Sequence, residues 1–212
     1  TMTGQTNHRP GPDRSRVAVV AVGVISPLGA GLAATLRALR EARDCVSPVT
    51  RFPVEQCRCS TAGQVADEWL SDVMPNDRKS RRLHRASRMM IGALDELHEQ
   101  VPDFRPELTV VGTTSGGMSF GEHYYRALQL AETRVAGSPA WIANYPPQKP
   151  AVDALEAWSL NSPCQVISNA CASGTNAIGH AFECIRTGRH NRVLTGGYDA
   201  FSELVFVGFG SL

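Results

Sequence analysis

The strongest chemical signal in the chain is Asn169-Ala170-Cys171-Ala172-Ser173-Gly174. A short apolar stretch, 164–168, precedes it, and a run with helical period, 173–187, follows. That placement sets the Cys171 sulfur beside a helix N-terminus, where unpaired N–H groups and the helix dipole favour negative charge. The thiolate is the nucleophilic form of cysteine, and such a location favours it. The small neighbours Ala170, Ala172 and Gly174 leave room for a carbonyl group at a sharp turn. The backbone N–H of Cys171 is itself a candidate donor to an oxyanion. Read this way, the segment predicts covalent nucleophilic chemistry. An inert buried thiol is the commoner fate of a free cysteine, and these residues alone leave that alternative open.

Other candidates are weaker. Gly112-Thr113-Thr114-Ser115-Gly116-Gly117-Met118 has the look of a phosphate loop, but no lysine follows its glycines as a P-loop requires. A tight turn with close backbone approach is the simpler reading. Ser115 has no sequence-evident base, which argues against a serine hydrolase. The one-residue gap of Cys57-Arg58-Cys59 differs from zinc-ligand spacing, and no second pair completes a site, so no metal is predicted. Six unevenly spaced cysteines in a chain of this length do not make a disulfide framework. Basic residues crowd the stretch from Arg78 to Arg88, including Lys79, Arg81, Arg82 and Arg85. Such a run is usually a solvated face. Nucleic acid is not expected on it, because no aromatic platform interleaves with the charges.

These residues need a frame. The run Val17-Ala18-Val19-Val20-Ala21-Val22 reads as a strand buried on both faces. Further strands are predicted at 108–112, 164–168 and 192–196, and helices at 33–43, 81–100, 121–135, 151–160 and 173–187. A Pro- and aromatic-rich loop is predicted at 139–150, irregular chain at 51–60 and a last apolar segment at 204–209. Strands alternating with helices predict an α/β fold with a largely parallel sheet. Residues 1–16, rich in Gly, Pro and polar side chains, predict a flexible lead-in to a unit spanning 17–212. The 173–187 helix has small or apolar residues on nearly every face, so it should be packed on both sides. Three layers would leave one of those faces wet, so something further should cover it.

The 212 residues carry 21 Lys plus Arg against 20 Asp plus Glu, a formal charge of +1. No large positive field therefore exists to steer nucleic acid or an anionic membrane. The apolar run at 17–22 is far shorter than the roughly 18–20 residues of a membrane span, and no secretory signal opens the chain. A cytoplasmic globular protein is expected.

Cys171 within Asn-Ala-Cys-Ala-Ser-Gly resembles the active-site cysteine of the β-ketoacyl-[acyl carrier protein] synthases, a branch of the thiolase superfamily. Three other stretches agree in order and spacing. Residues 17–31 resemble the family's opening strand and turn. The glycine-rich stretch from Gly112 to Met118 resembles a segment near the acyl pocket, which makes Ser115 a candidate pocket residue. Gly196-Gly197-Tyr198-Asp199-Ala200 resembles the strand end that follows the cysteine helix.

The resemblance implies the N-terminal half of a thiolase-like fold, α/β with a mostly parallel mixed sheet and a buried central helix after the nucleophile. It implies that Cys171 takes an acyl chain from an acyl carrier protein, and that a malonyl-carrier then loses carbon dioxide and attacks the thioester. No cofactor is implied beyond the phosphopantetheine arm that the carrier brings. Lys79, Arg81, Arg82 and Arg85 are placed where family members dock the acidic carrier. The two histidines and the lysine that assist decarboxylation lie in the family's second half, and none of the six histidines here sits in a matching stretch. Condensation is therefore expected to need a C-terminal half or a second chain, and a homodimer or heterodimer is implied. The alternative is a non-condensing acyl-binding or partner subunit, although subunits that only measure chain length typically lack the cysteine. The opening Ser26-Pro27-Leu28-Gly29 and the late position of Cys171 disfavour a degradative thiolase.

Overall fold

The computed structural model describes residues 16–71, 82–130 and 138–211. In chain order, the elements begin with a minimal hairpin, β1 (Ile25–Ser26) and β2 (Gly29–Ala30), and the helix α1 (Leu32–Arg40). A second hairpin, β3 (Val46–Pro48) and β4 (Thr61–Gly63), leads to the short α2 (Glu68–Ser71) and the long α3 (Arg85–Gln100). Then come β5 (Leu108–Gly112), α4 (Met118–Gln129), α5 (Ser138–Asn144) and α6 (Lys149–Ala157). The last third contains β6 (Cys164–Ile167), α7 (Ser173–Arg186), β7 (Val193–Gly197) and α8 (Glu203–Gly210).

The core is a three-stranded parallel sheet in the order β6-β5-β7. All five residues of β5 are buried, as a central strand covered on both faces must be. Its side chains alternate between the faces. Val111 packs with Ala86 of α3 and Ala151 of α6. Leu108 and Val110 face the other way, onto Ala177 and Cys184 of α7. Fully burying each such Val or Leu contributes about 1.5–3 kcal/mol. The result is three layers: α3 and α6, the sheet, then α7.

Helix α3 starts at its cap. His84 sits in extended backbone and its Nδ1 accepts from the Ala86 N–H at 3.1 Å. A histidine thus does what Ser or Asp usually does at a helix N-terminus. The helix therefore begins four residues later than the predicted 81. Helix α5 replaces part of the loop predicted at 139–150. Pro139 falls in its first turn, where a missing N–H and a fixed φ are compatible with a helix.

The strand predicted at 17–22 does not form. Those residues join no sheet among the described residues, and Val19 and Val20 are 82% and 62% exposed. An apolar sequence can propose a strand, but only pairing with a neighbouring strand makes one. The segment pairs with neither β6 nor β7, the edge strands of the sheet, and side chains of α3 hold it instead. Gln100 Nε2 donates to the Val22 carbonyl at 2.7 Å, and the Val24 N–H donates to Glu96 at 2.9 Å. Glu96 also accepts from the Leu32 N–H at 2.6 Å, so one carboxylate ties the opening segment to the start of α1.

Helix α7 buries one stripe, Ser173, Ala177, Ala181 and Cys184, at the three- and four-residue steps of a helix face. Ile178 and Phe182, on the other side, are 55% and 42% exposed. The sequence asked for cover on both sides, and the described residues supply it on one.

Candidate active site

Parallel strands bring their carboxyl ends to one edge of a sheet, and chemistry in open α/β folds gathers at that edge. Three turns meet there. Strand β6 leads into Cys171, β5 into the loop Thr113–Gly117, and β7 into Asp199.

The Cys171 turn is tight. Ala170 has φ +57°, the left-handed region that costs a non-glycine residue about 1–2 kcal/mol. Ser173 holds it closed: its Oγ accepts from the Asn169 N–H at 2.9 Å and donates to the Ala170 carbonyl at 2.6 Å. The Ser173 N–H donates to the same carbonyl at 3.0 Å. Cys171 is exposed at the crest of this turn, two residues before the first residue of α7. The expected placement of a cysteine close to a helix N-terminus is observed, and its side chain is exposed. A Cβ on Gly174 would meet no atom within 4 Å, so the space beside that residue in the first turn of α7 is open among the described residues.

The neighbouring loop is fastened by one carboxylate. Asp199 Oδ1 accepts from Thr113 Oγ1 at 2.8 Å, the Thr114 N–H at 2.9 Å, the Ser115 N–H at 2.7 Å and Ser115 Oγ at 2.8 Å. Thr113 Oγ1 accepts in turn from the Gly116 N–H at 2.9 Å. Gly116, at φ +48°, passes so close to Pro147 that a Cβ would lie 2.6 Å from its Cα. Behind the loop, the Tyr198 hydroxyl donates to the Pro147 carbonyl at 2.6 Å. Burial, reinforced by nearby Cys164, holds the Tyr198 phenol above its ordinary range.

Ser115 is buried and its hydroxyl is committed to Asp199, so here it fastens the loop. The loop residue that reaches the cysteine turn is Thr114, whose Oγ1 donates to the Ala170 carbonyl at 3.0 Å. Sequence reasoning assigned no role to Thr114 or Asp199. The available signal was three consecutive hydroxyl residues after one strand and an acid just beyond the end of another.

The basic stretch is divided. Lys79 and Arg81 lie outside the described residues. Arg82 is exposed. Arg85 departs from the docking expectation: its guanidinium turns inward to Asp67 and the Val65 carbonyl, and only 14% of its side chain is exposed. Burial lowers its pKa, with the Asp67 contact opposing. No group of three or more His, Cys, Asp or Glu side chains suited to a metal occurs among the described residues. None of the described helices is long and apolar enough to cross a membrane.

Residues 14–212 match the family model "Beta-ketoacyl synthase, N-terminal domain". The chain belongs to the β-ketoacyl synthase family. The chain is 30% identical to a 3-oxoacyl-[acyl-carrier-protein] synthase 2 of Synechocystis, over 94% of its own length and 49% of that protein. A 3-oxoacyl-[acyl-carrier-protein] synthase 2 of Staphylococcus aureus is 24% identical over 92% of the chain and 49% of its own length. Among solved structures, the ishigamide ketosynthase/chain length factor aligns with TM-score 0.77 at 22% identity, covering 91% of the chain and 49% of that structure. A β-ketoacyl synthase from Burkholderia phymatum gives 0.72 at 21% identity over the same shares. The chain thus has a thiolase-like fold and spans about half the length of the curated relatives it matches.

Proposed function

We propose that Cys171 is the acyl-accepting nucleophile of a decarboxylative condensing enzyme in fatty-acid or polyketide synthesis. The Cys171 sulfur attacks the thioester carbonyl of an acyl chain carried on phosphopantetheine. A new C–S bond forms, the bond to the pantetheine sulfur breaks, and the leaving thiolate takes up the proton that Cys171 gave. The Cys171 N–H, two residues before α7, donates to the oxyanion of that step. In the second half-reaction the malonyl-carrier loses carbon dioxide, its carbanion attacks the Cys171 thioester, and the thiolate leaves. The groups that assist decarboxylation are supplied from outside these 212 residues, by further sequence or a second chain packed on the exposed side of α7. The carrier is an acidic protein that approaches the basic stretch through Lys79, Arg81 and Arg82. The assembly is cytoplasmic and dimeric.

One observation carries this reading: an exposed cysteine at a strained turn on the carboxyl edge of the sheet, in a chain of this family. The test is incubation with octanoyl-pantetheine followed by intact-mass analysis and peptide mapping. One octanoyl group on Cys171, absent in Cys171→Ala, is the expected result. An unmodified Cys171 that still reacts with iodoacetamide would overturn it. Acylation without condensation, even when a family C-terminal half is added, would favour the partner-subunit alternative.

A further inference from the structure

The bonds around Cys171 form a relay with a definite origin. Asp199 lies two residues beyond the end of β7, and four donors from Thr113, Thr114 and Ser115 converge on its Oδ1. Two are main-chain N–H groups, so the carboxylate dictates the backbone path of the loop as well as its side chains. That path brings Thr114 Oγ1 to the Ala170 carbonyl as a third donor, beside the N–H and Oγ of Ser173, and the only one among the described residues from outside the turn's own segment. Ala170 is the left-handed residue immediately before Cys171.

We propose that Asp199 is a positioning residue for Cys171, acting through Thr114: it shapes the Thr113–Gly116 loop so that the Thr114 hydroxyl restrains the Ala170 carbonyl and keeps the cysteine turn in its left-handed form. This rests on the reading of Cys171 as the acyl-accepting nucleophile. The physical logic is pre-organisation. A turn held at an unfavourable φ relaxes unless surrounding contacts over-determine it, and attack on a carbonyl tolerates little misplacement of the nucleophile. A charged acceptor suits this purpose, because hydrogen bonds to a carboxylate are roughly twice as strong as neutral ones. An amide in its place brings an uncharged, weaker acceptor to those four donors, and its nitrogen, itself a donor, opposes the Thr114 N–H that Asp199 Oδ2 accepts at 3.2 Å.

The experiment compares the 212-residue chain with Asp199→Asn, Thr114→Val, Thr114→Ser and the Asp199→Asn/Thr114→Val double variant. Three readouts are taken: Cys171 acylation by octanoyl-pantetheine, Cys171 alkylation by iodoacetamide at high pH, and amide hydrogen exchange over residues 169–174. Asp199→Asn and Thr114→Val are each expected to slow acylation about tenfold and to speed exchange in the turn. Alkylation by the small reagent should change less than about twofold, since it makes little demand on orientation. Thr114→Ser, which keeps the hydroxyl, should retain the wild-type acylation rate. The double variant should be no slower than the worse single one, because the two residues act in series.

Independent, additive losses in the double variant would overturn the proposal. So would Asp199→Asn acylation within twofold of wild type with unchanged exchange. Should Asp199→Asn fail to fold, the exposed Thr114→Val and Thr114→Ser pair still decides the matter. If wild-type Cys171 is alkylated but never acylated, the nucleophile reading fails on its own. The exchange measurement then still tells whether Asp199 restrains the turn, and unchanged exchange overturns that.

Discussion

Gly112 and Ser173 pass so close that a Cβ on Gly112 would lie 2.3 Å from the Ser173 carbonyl carbon. The end of the central strand thus rests directly on the first turn of α7, two residues after Cys171. Gly112 has no left-handed φ, so the requirement here is space alone.

Gly112→Ala is therefore expected to cost about 3 kcal/mol or more, the upper end for overpacking, because a backbone atom cannot rotate out of the way. Urea denaturation of the purified variant reads this directly. A change below about 1 kcal/mol would mean that the strand and helix can separate freely.

Ala170 offers a cleaner test of backbone strain, since it is exposed and its side chain packs against little. Glycine relieves the left-handed cost but adds freedom to the unfolded chain, so Ala170→Gly should shift stability by less than about 1 kcal/mol. Ala170→Val places a β-branched residue at the same φ and should destabilise by more than about 1 kcal/mol. Equal thermal shifts for the two variants would contradict the argument.

His84 predicts a pH dependence of stability. Its Nδ1 accepts from Ala86 N–H, so Nε2 carries the proton and donates to Ser119 Oγ at 2.7 Å. Phe120 stands edge-on at 4.7 Å. Burial drives its pKa down from 6.5 to about 4, with Asp153 opposing and His123 and Arg85 assisting. Above pH 6.5 the ring is neutral in both folded and unfolded chains, and the full stability is present. As pH falls from 6.5 towards 4, the unfolded chain takes up a proton that the folded one refuses. Over that window stability should drop by about 3 kcal/mol. In His84→Asn, which keeps a capping side chain, that share of the slope should vanish. Matched denaturation series at pH 7 and pH 5 on both proteins would settle it.

The two sides of α7 should answer differently to substitution. Ala177 is fully buried against Leu108 and Val110. Ala177→Leu is expected to cost about 1–3 kcal/mol by overpacking. Phe182, 42% exposed, should tolerate Gln within about 1 kcal/mol in the chain alone. Once a family C-terminal half is bound, the same Phe182→Gln should weaken association, readable by sedimentation. Association unaffected by Phe182→Gln would place the partner elsewhere.

Much of this protein is legible in one dimension because its signals are local. A β-branched apolar run with a glycine stop is enough to place β5, and a three- and four-residue recurrence of Met90, Ala93, Leu94 and Leu97 is enough to place α3. Cys171 is legible for the same reason: strand, small residues and helix are contiguous, so its position at a helix N-terminus follows from sequence alone.

What the tertiary structure decided is everything that depends on a partner distant in the chain. The run at 17–22 has the composition of a buried strand, yet it pairs with no strand among the described residues. Arg85 belongs to a basic run, yet the carbonyl of buried Val65, 20 residues earlier, and Asp67 hold its guanidinium and leave little of the side chain exposed. Asp199 and Thr114 are 85 residues apart and look unremarkable until β5 and β7 lie side by side in register, Gly112 opposite Gly197. Local propensity depends on a residue's own dihedrals and immediate neighbours, so sequence carries it directly. A hydrogen bond across 85 residues exists only after the sheet has closed the loop between them, and no periodicity in the chain encodes it.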